Sequence, residues 1–106
     1  MPKKPPDLID TMKRQKEIDR LRADLKVADR ECGEAHSAEQ PWSRAFWAAH
    51  QTLRELPLQP EASKERRLAA YDARLRAGHA WHPYRQRYRD ALRWFDAILK
   101  ELKTYE

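Results

Sequence analysis

Through the last quarter of the chain, apolar residues recur at steps of three and four. Tyr84, Tyr88, Ala91, Leu92, Phe95, Ile98, Leu99 and Leu102 fall on one stripe at about 100° per residue, the pattern of an amphipathic helix packed on a core. The spacing predicts a helix over 84–105, led in by the connector Gly78-His79-Ala80-Trp81-His82-Pro83. The remaining composition points the same way. One Val, three Ile, three Thr and two Gly, set against abundant Ala, Leu, Glu, Lys and Arg, disfavour strands and favour helix throughout.

Read from its start, the chain divides at its prolines and glycines. Residues 1–6 carry three prolines and are expected to be an extended tail, with Asp7 as N-cap of the first helix. That helix is predicted over 8–32. Its apolar residues Ile18, Leu21, Leu25, Ala28 and Cys32 form the narrow seam of a coiled coil or helical hairpin, too narrow for a broad core, so it is expected to lie along a neighbour or project from the body. The small, polar stretch 33–40 predicts a loop. Pro41 suits the first turn of a second helix over 41–56, stopped by Pro57, and a third is predicted over 61–77, ended by Gly78. The expected fold is all-α, a single domain over 7–106 built as a small bundle of about four helices. Its expected core is Trp42, Phe46, Leu53, Leu68, Tyr71, Leu75, Tyr88, Leu92, Phe95 and Leu99.

Charge carries the functional expectation. The balance is +5 with 37% of residues charged. From 64 to 93 there are nine Lys or Arg against three acids, whereas 31–60 hold two basic and four acidic side chains. In the predicted last helix, Arg85, Arg87 and Arg89 crowd an N-terminus that is already partially positive, an arrangement that favours a bound anion. Arginines interleaved with rings suit phosphate contact and base stacking, so Arg74, Arg76, Trp81, Arg85, Arg87, Arg89 and Arg93 form the candidate surface for DNA or RNA backbone at the junction of the third and fourth helices. A helix-turn-helix variant of this reading puts Arg85, Gln86 and Arg89 at base edges, although the connector is longer than the usual tight turn.

The rival reading is a protein-binding adaptor or inhibitor. Trp47 lies off the buried stripe of its helix with Gln51 and Arg54 on the same side, the composition of an interface hot spot, and the seam of the first helix offers a second docking edge or a route to self-association. As a bland alternative, Trp47 covers the first helix.

Other chemistry finds little support. Cys32, His36, His79 and His82 have no finger or ribbon spacing, so no metal is expected. Two isolated glycines make no phosphate-cradling loop, the serines lack a nucleophile elbow, and the carboxylates are not paired on an apolar background; neither an enzyme nor a cofactor is expected. The longest uninterrupted apolar run is Ala45–Ala49, against the roughly 20 residues of a membrane span. A lone cysteine and the lack of an apolar segment behind the first residues lead to the expectation of an intracellular protein with no membrane partner.

Overall fold

The computed structural model describes residues 8–59, 61 and 63–106, and within them the chain forms two long helices. The first, α1, spans Leu8–Glu55, the second, α2, spans Lys64–Lys103, and a single 3-10 turn, Leu56–Leu58, begins the bend between them. The all-α expectation holds. The expected tail over 1–6 and the Asp7 cap lie outside the described residues. The division into four helices is corrected: the expected loop over 33–40 and the connector over 78–83 are both helical, so the first two predicted helices are one and the last two are one.

The physical reason is a heptad that never breaks. Along α1 and into the 3-10 turn, Ile18, Leu21, Leu25, Ala28, Cys32, Ala35, Glu39, Trp42, Phe46, Ala49, Leu53 and Leu56 step alternately by three and four. Along α2 and just past its end, Ala70, Arg74, Ala77, Trp81, Tyr84, Tyr88, Ala91, Phe95, Ile98, Leu102 and Tyr105 do the same. These are the a and d positions of an antiparallel coiled coil, each facing the partner helix. Neither Gly33 nor Pro41 occupies a seam position, so each weakens its helix locally without interrupting the packing. Ser63 starts α2, its Oγ accepting from the Arg66 backbone N–H at 3.2 Å.

The seam changes character along its length. Toward the open end it is aliphatic: Leu21, Ala28 and Ile98 are buried, with Leu25, Phe95, Leu102 and Tyr105 packed around them. Toward the bend it is aromatic, with Trp42 stacked on Tyr84 at 5.0 Å and Phe46 against Trp81 at 5.1 Å. At the open end the Arg14 guanidinium donates to the Tyr105 carbonyl at 2.7 Å and lies over the Tyr105 ring.

Pro41 and Pro83 lie inside the helices at one level, as the stacking of their neighbours Trp42 and Tyr84 fixes. Each deprives a carbonyl four residues back, of Ser37 and of His79, of its helical donor. Ser37 and His79 are exposed, which leaves water to satisfy both acceptors.

A hairpin has no third layer. The Cα radius of gyration is 24.3 Å and the extents are 87 × 25 × 14 Å. A compact chain of this length would have a radius of about 13 Å. Five residues of the expected core are consequently exposed: Trp42, at the edge of the α1 seam, is 37% exposed, and Leu68, Tyr71, Leu75 and Leu92 are 58, 51, 45 and 40% exposed. The last four lie beside the α2 seam rather than on it, and among the described residues no further helix covers that side.

The proline positions decide between the two architectures. At the first turn of a short helix, Pro41→Ala would be neutral or destabilising. In the middle of α1 it restores a hydrogen bond to Ser37 and is expected to stabilise the chain by about 2–3 kcal/mol. Thermal and urea unfolding of the variant measure the sign.

Candidate functional site

The heptad gives the hairpin two long faces. On one, here the front, the residues flanking the seam include Leu8, Met12, Asp29, His36, Gln40, Trp47 and His50 of α1 and Leu68, Tyr71, Leu75, Arg85, Arg89, Leu92 and Asp96 of α2. Two open grooves fix this grouping. His36, Glu39 and Gln40 line one with Trp81, Arg85, Arg89 and Leu92, and Phe46 lines another with Tyr71, Arg74 and Leu75. On the opposite face, the back, Glu31 borders a groove with Pro83, Arg87, Asp90 and Trp94.

The predicted cations are divided between these faces. Arg87 is on the back, its Nε and Nη2 donating to Glu31 at 2.8 and 3.2 Å. This bidentate pair holds the Glu31 carboxyl below its usual range and raises the Arg87 pKa. Arg76 pairs with Asp72 one turn earlier, and Arg93 is 3.9 Å from Asp90. Arg74 is half-buried over the Phe46 ring, and Arg85 lies 4.9 Å above the Trp81 ring. The expected helix start at Tyr84 is absent: Arg85, Arg87 and Arg89 sit in the middle of α2, where every backbone N–H nearby belongs to the helix ladder and no terminal dipole gathers. The premise of inverted helix charge is therefore corrected. Arg85 and Arg89 alone of the seven share a groove with Trp81.

Trp81 itself is tied into the seam. Its Nε1 donates at 2.9 Å to Glu39, a carboxylate that is only 8% exposed at a position where a coiled coil normally carries an apolar residue. A single polar pair inside an apolar seam penalises every register that separates its members. Sequence reading placed 33–40 in a loop and so missed this partner. The signal was available, since Glu39 continues the three-four stepping from Cys32 and Ala35 to Trp42.

The other candidate group stays together. Trp47 does not cover the first helix; it belongs to that helix and is 55% exposed. Gln51 and Arg54 are exposed on adjacent turns, with the Gln51 amide donating to Glu55 at 3.0 Å. The Trp47 ring meets Phe46 edge-on at 5.2 Å and His50 at 5.5 Å. Phe46 in turn borders the groove with Tyr71 and Leu75, so Trp47, Phe46, Tyr71 and Leu75 form one apolar surface at the bend end of the front face. Sequence reading assigned Tyr71 and Leu75 to the core and missed their part in it. At the far end of the same face, Leu8 and Met12 are exposed as well.

Among the described residues, no group of three or more His, Cys, Asp or Glu side chains converges to hold a metal. Among the described residues, no helix is long and apolar enough to cross a membrane. Burial, reinforced by Asp29, Glu31 and Asp96, pushes the Cys32 thiol up, which disfavours the reactive thiolate.

Two measurements check this geometry. Trp81→Phe strips Glu39 of its donor and is expected to cost about 1–2 kcal/mol, whereas Glu39→Gln keeps the acceptor and costs less. The Glu31 carboxyl has a depressed folded pKa, so its contribution is complete above the unfolded glutamate value and is lost as pH falls through the folded one. Acid unfolding of Glu31→Gln should accordingly be shallower than that of the parent chain.

Comparison with family models, with curated proteins and with solved structures finds no match to this chain.

Proposed function

We propose that the chain is a protein-docking adaptor, a helical hairpin that works by burying its front face against another polypeptide. The observation that carries this reading is that seven of the twelve large apolar side chains exposed among the described residues, Leu8, Met12, Trp47, Leu68, Tyr71, Leu75 and Leu92, flank the seam on the front, against Val27 and Trp94 on the back. Exposed apolar residues scattered singly need no explanation, whereas a row of them on a single face marks an interaction surface. Trp47 and Tyr71 are the residue types that dominate interface energetics.

The nucleic-acid reading draws less support. Its cations point to both faces, and Arg76, Arg87 and Arg93 face carboxylates of the same chain. A +5 chain still attracts polyanions at low salt, as a weak contact with steep salt dependence and no chosen surface.

Site-specific photo-crosslinking in cells tests the reading. A photoreactive residue replacing Tyr71, on the front, is expected to yield polypeptide adducts that survive nuclease treatment. The same residue replacing Ala48, on the back, should yield few. Adducts that vanish with nuclease, or equal labelling from the two faces, would overturn the proposal in favour of nucleic acid or of no docking face.

A further inference from the structure

Resting on that reading, we infer that the polypeptide seated on the front face is an acidic amphipathic α-helix, which lies along the trough between α1 and α2 and completes a three-helix bundle. Three features of the hairpin lead there: the course of the trough, the cations along its rim, and the thickness of the molecule.

On the front, four open grooves follow one another from the bend to the open end. Seam side chains line each of them: Phe46 the first, Trp81 the second, Phe95 the third and Leu102 the fourth. Leu75 and Leu92, both exposed, edge the first two. Along α2 the grooves run from Tyr71 to Tyr105, a distance of about 50 Å at about 1.5 Å per residue. A long apolar channel between two packed helices is the shape that a third helix fills, with its apolar stripe on the floor. A flat bilayer surface would touch the rim of such a channel and leave the floor uncovered.

Charge identifies the kind of helix. A residue one place after a seam position lies on the front, as Trp47 and Arg85 do, and a residue one place before it lies on the back, as Glu31 and Arg87 do. By that phase Arg22, Lys26, Arg54, Arg85, Arg89 and Lys103 are on the front, all exposed, against the acids Asp19, Asp29, Asp96 and Glu106. Glu17, Asp24, Glu31, Glu34, Asp90 and Glu101 are on the back. The ion pairs divide in the same sense. Among the described residues they engage Arg20, Arg76, Arg87 and Arg93, and none engages any of those six front cations.

Cations without a carboxylate of their own chain, set beside an apolar floor, are complementary to Asp and Glu flanking the apolar stripe of another helix. Asp29 borders the Phe95 groove and Asp96 follows Phe95 in the chain, so that one level suits a basic residue within an otherwise acidic partner. A nucleic acid, negative throughout, would set phosphates against both acids and leave the apolar floor without a partner. A second copy presenting the same front would bring like net charge to the trough. The hairpin is 14 Å across its smallest extent, a single layer of helix, whereas helical domains bury their apolar stripes between at least two. The incoming helix supplies the second layer.

A photoreactive residue placed singly at Leu75 and at Leu92 of the full chain in cells, with the crosslinked peptides sequenced by mass spectrometry, tests the inference. The two positions are about 25 Å apart along α2. Both are expected to mark one partner segment with an excess of Asp and Glu and apolar residues at steps of three and four. The marked sites should be about 17 residues apart, against about 8 for an extended segment. Lys26→Glu with Arg89→Glu leaves the seam and the intrachain ion pairs in place; it should keep helical circular dichroism and lower the yield at Leu92 by at least about tenfold. Glu34→Lys, on the back, should leave that yield unchanged. Sites at the extended spacing, a segment without acidic excess, a yield indifferent to the double reversal, or adducts to lipid, to nucleic acid or between two copies of this chain each overturn the inference. Polypeptide adducts from Tyr71 that lack these signs leave the docking reading standing without the acidic helix, whereas a front that marks no polypeptide removes both.

Discussion

Everything in this molecule depends on one seam. The only tertiary packing available to a two-helix hairpin is the strip where a and d side chains of α1 meet those of α2. The smallest extent, 14 Å, is little more than the roughly 10–12 Å diameter of one helix with its side chains. In a body so thin, a residue one position off the seam is already on the surface. Few side chains are fully enclosed, and Leu21, Ala28 and Ala35 owe their burial to positions directly opposite α2. Small residues in the seam let the helices approach closely, while the aromatic pairs nearer the bend hold them apart by ring stacking.

That constraint explains what could and could not be read from the sequence. Helix was legible everywhere, because residue types and stepping agreed. The seam of the first helix was legible too, from Ile18 to Cys32, as a hairpin or coiled-coil edge. What misled was punctuation. Gly33, Pro41, Gly78 and Pro83 are strong breakers in isolation, and reading each as a boundary yielded four short helices. A helix interior tolerates them when the seam beyond continues in phase and the freed carbonyls belong to exposed residues, as Ser37 and His79 are. Tertiary packing over some five heptads outweighs a local penalty of about 1 kcal/mol at Gly and about 3 kcal/mol at Pro. Once the boundaries were wrong, the candidate site followed, since the argument from an N-terminal dipole required a helix to begin at Tyr84.

The candidate residues show the same logic in miniature. By type and spacing Trp81 suits stacking on bases, yet its ring packs on Phe46 and its N–H satisfies Glu39. Arg87 suits a phosphate, yet it closes the back of the hairpin on Glu31. Long-range partners of this kind, many tens of residues apart, are invisible to local patterning. Trp47 was legible because its exposure follows from helical phase alone. Tyr71 and Leu75 were visible as apolar but were assigned a core that two helices cannot build.

The neighbouring prolines carry a mechanical implication. Two missing hydrogen bonds lie side by side, one in each helix, at one level of an otherwise continuous rod. Bending stiffness is therefore lowest along a crease that crosses both helices together, and flexure there swings the bend end as a unit without sliding one helix past the other. Curvature of this long ribbon is localised by covalent chemistry rather than spread along its length.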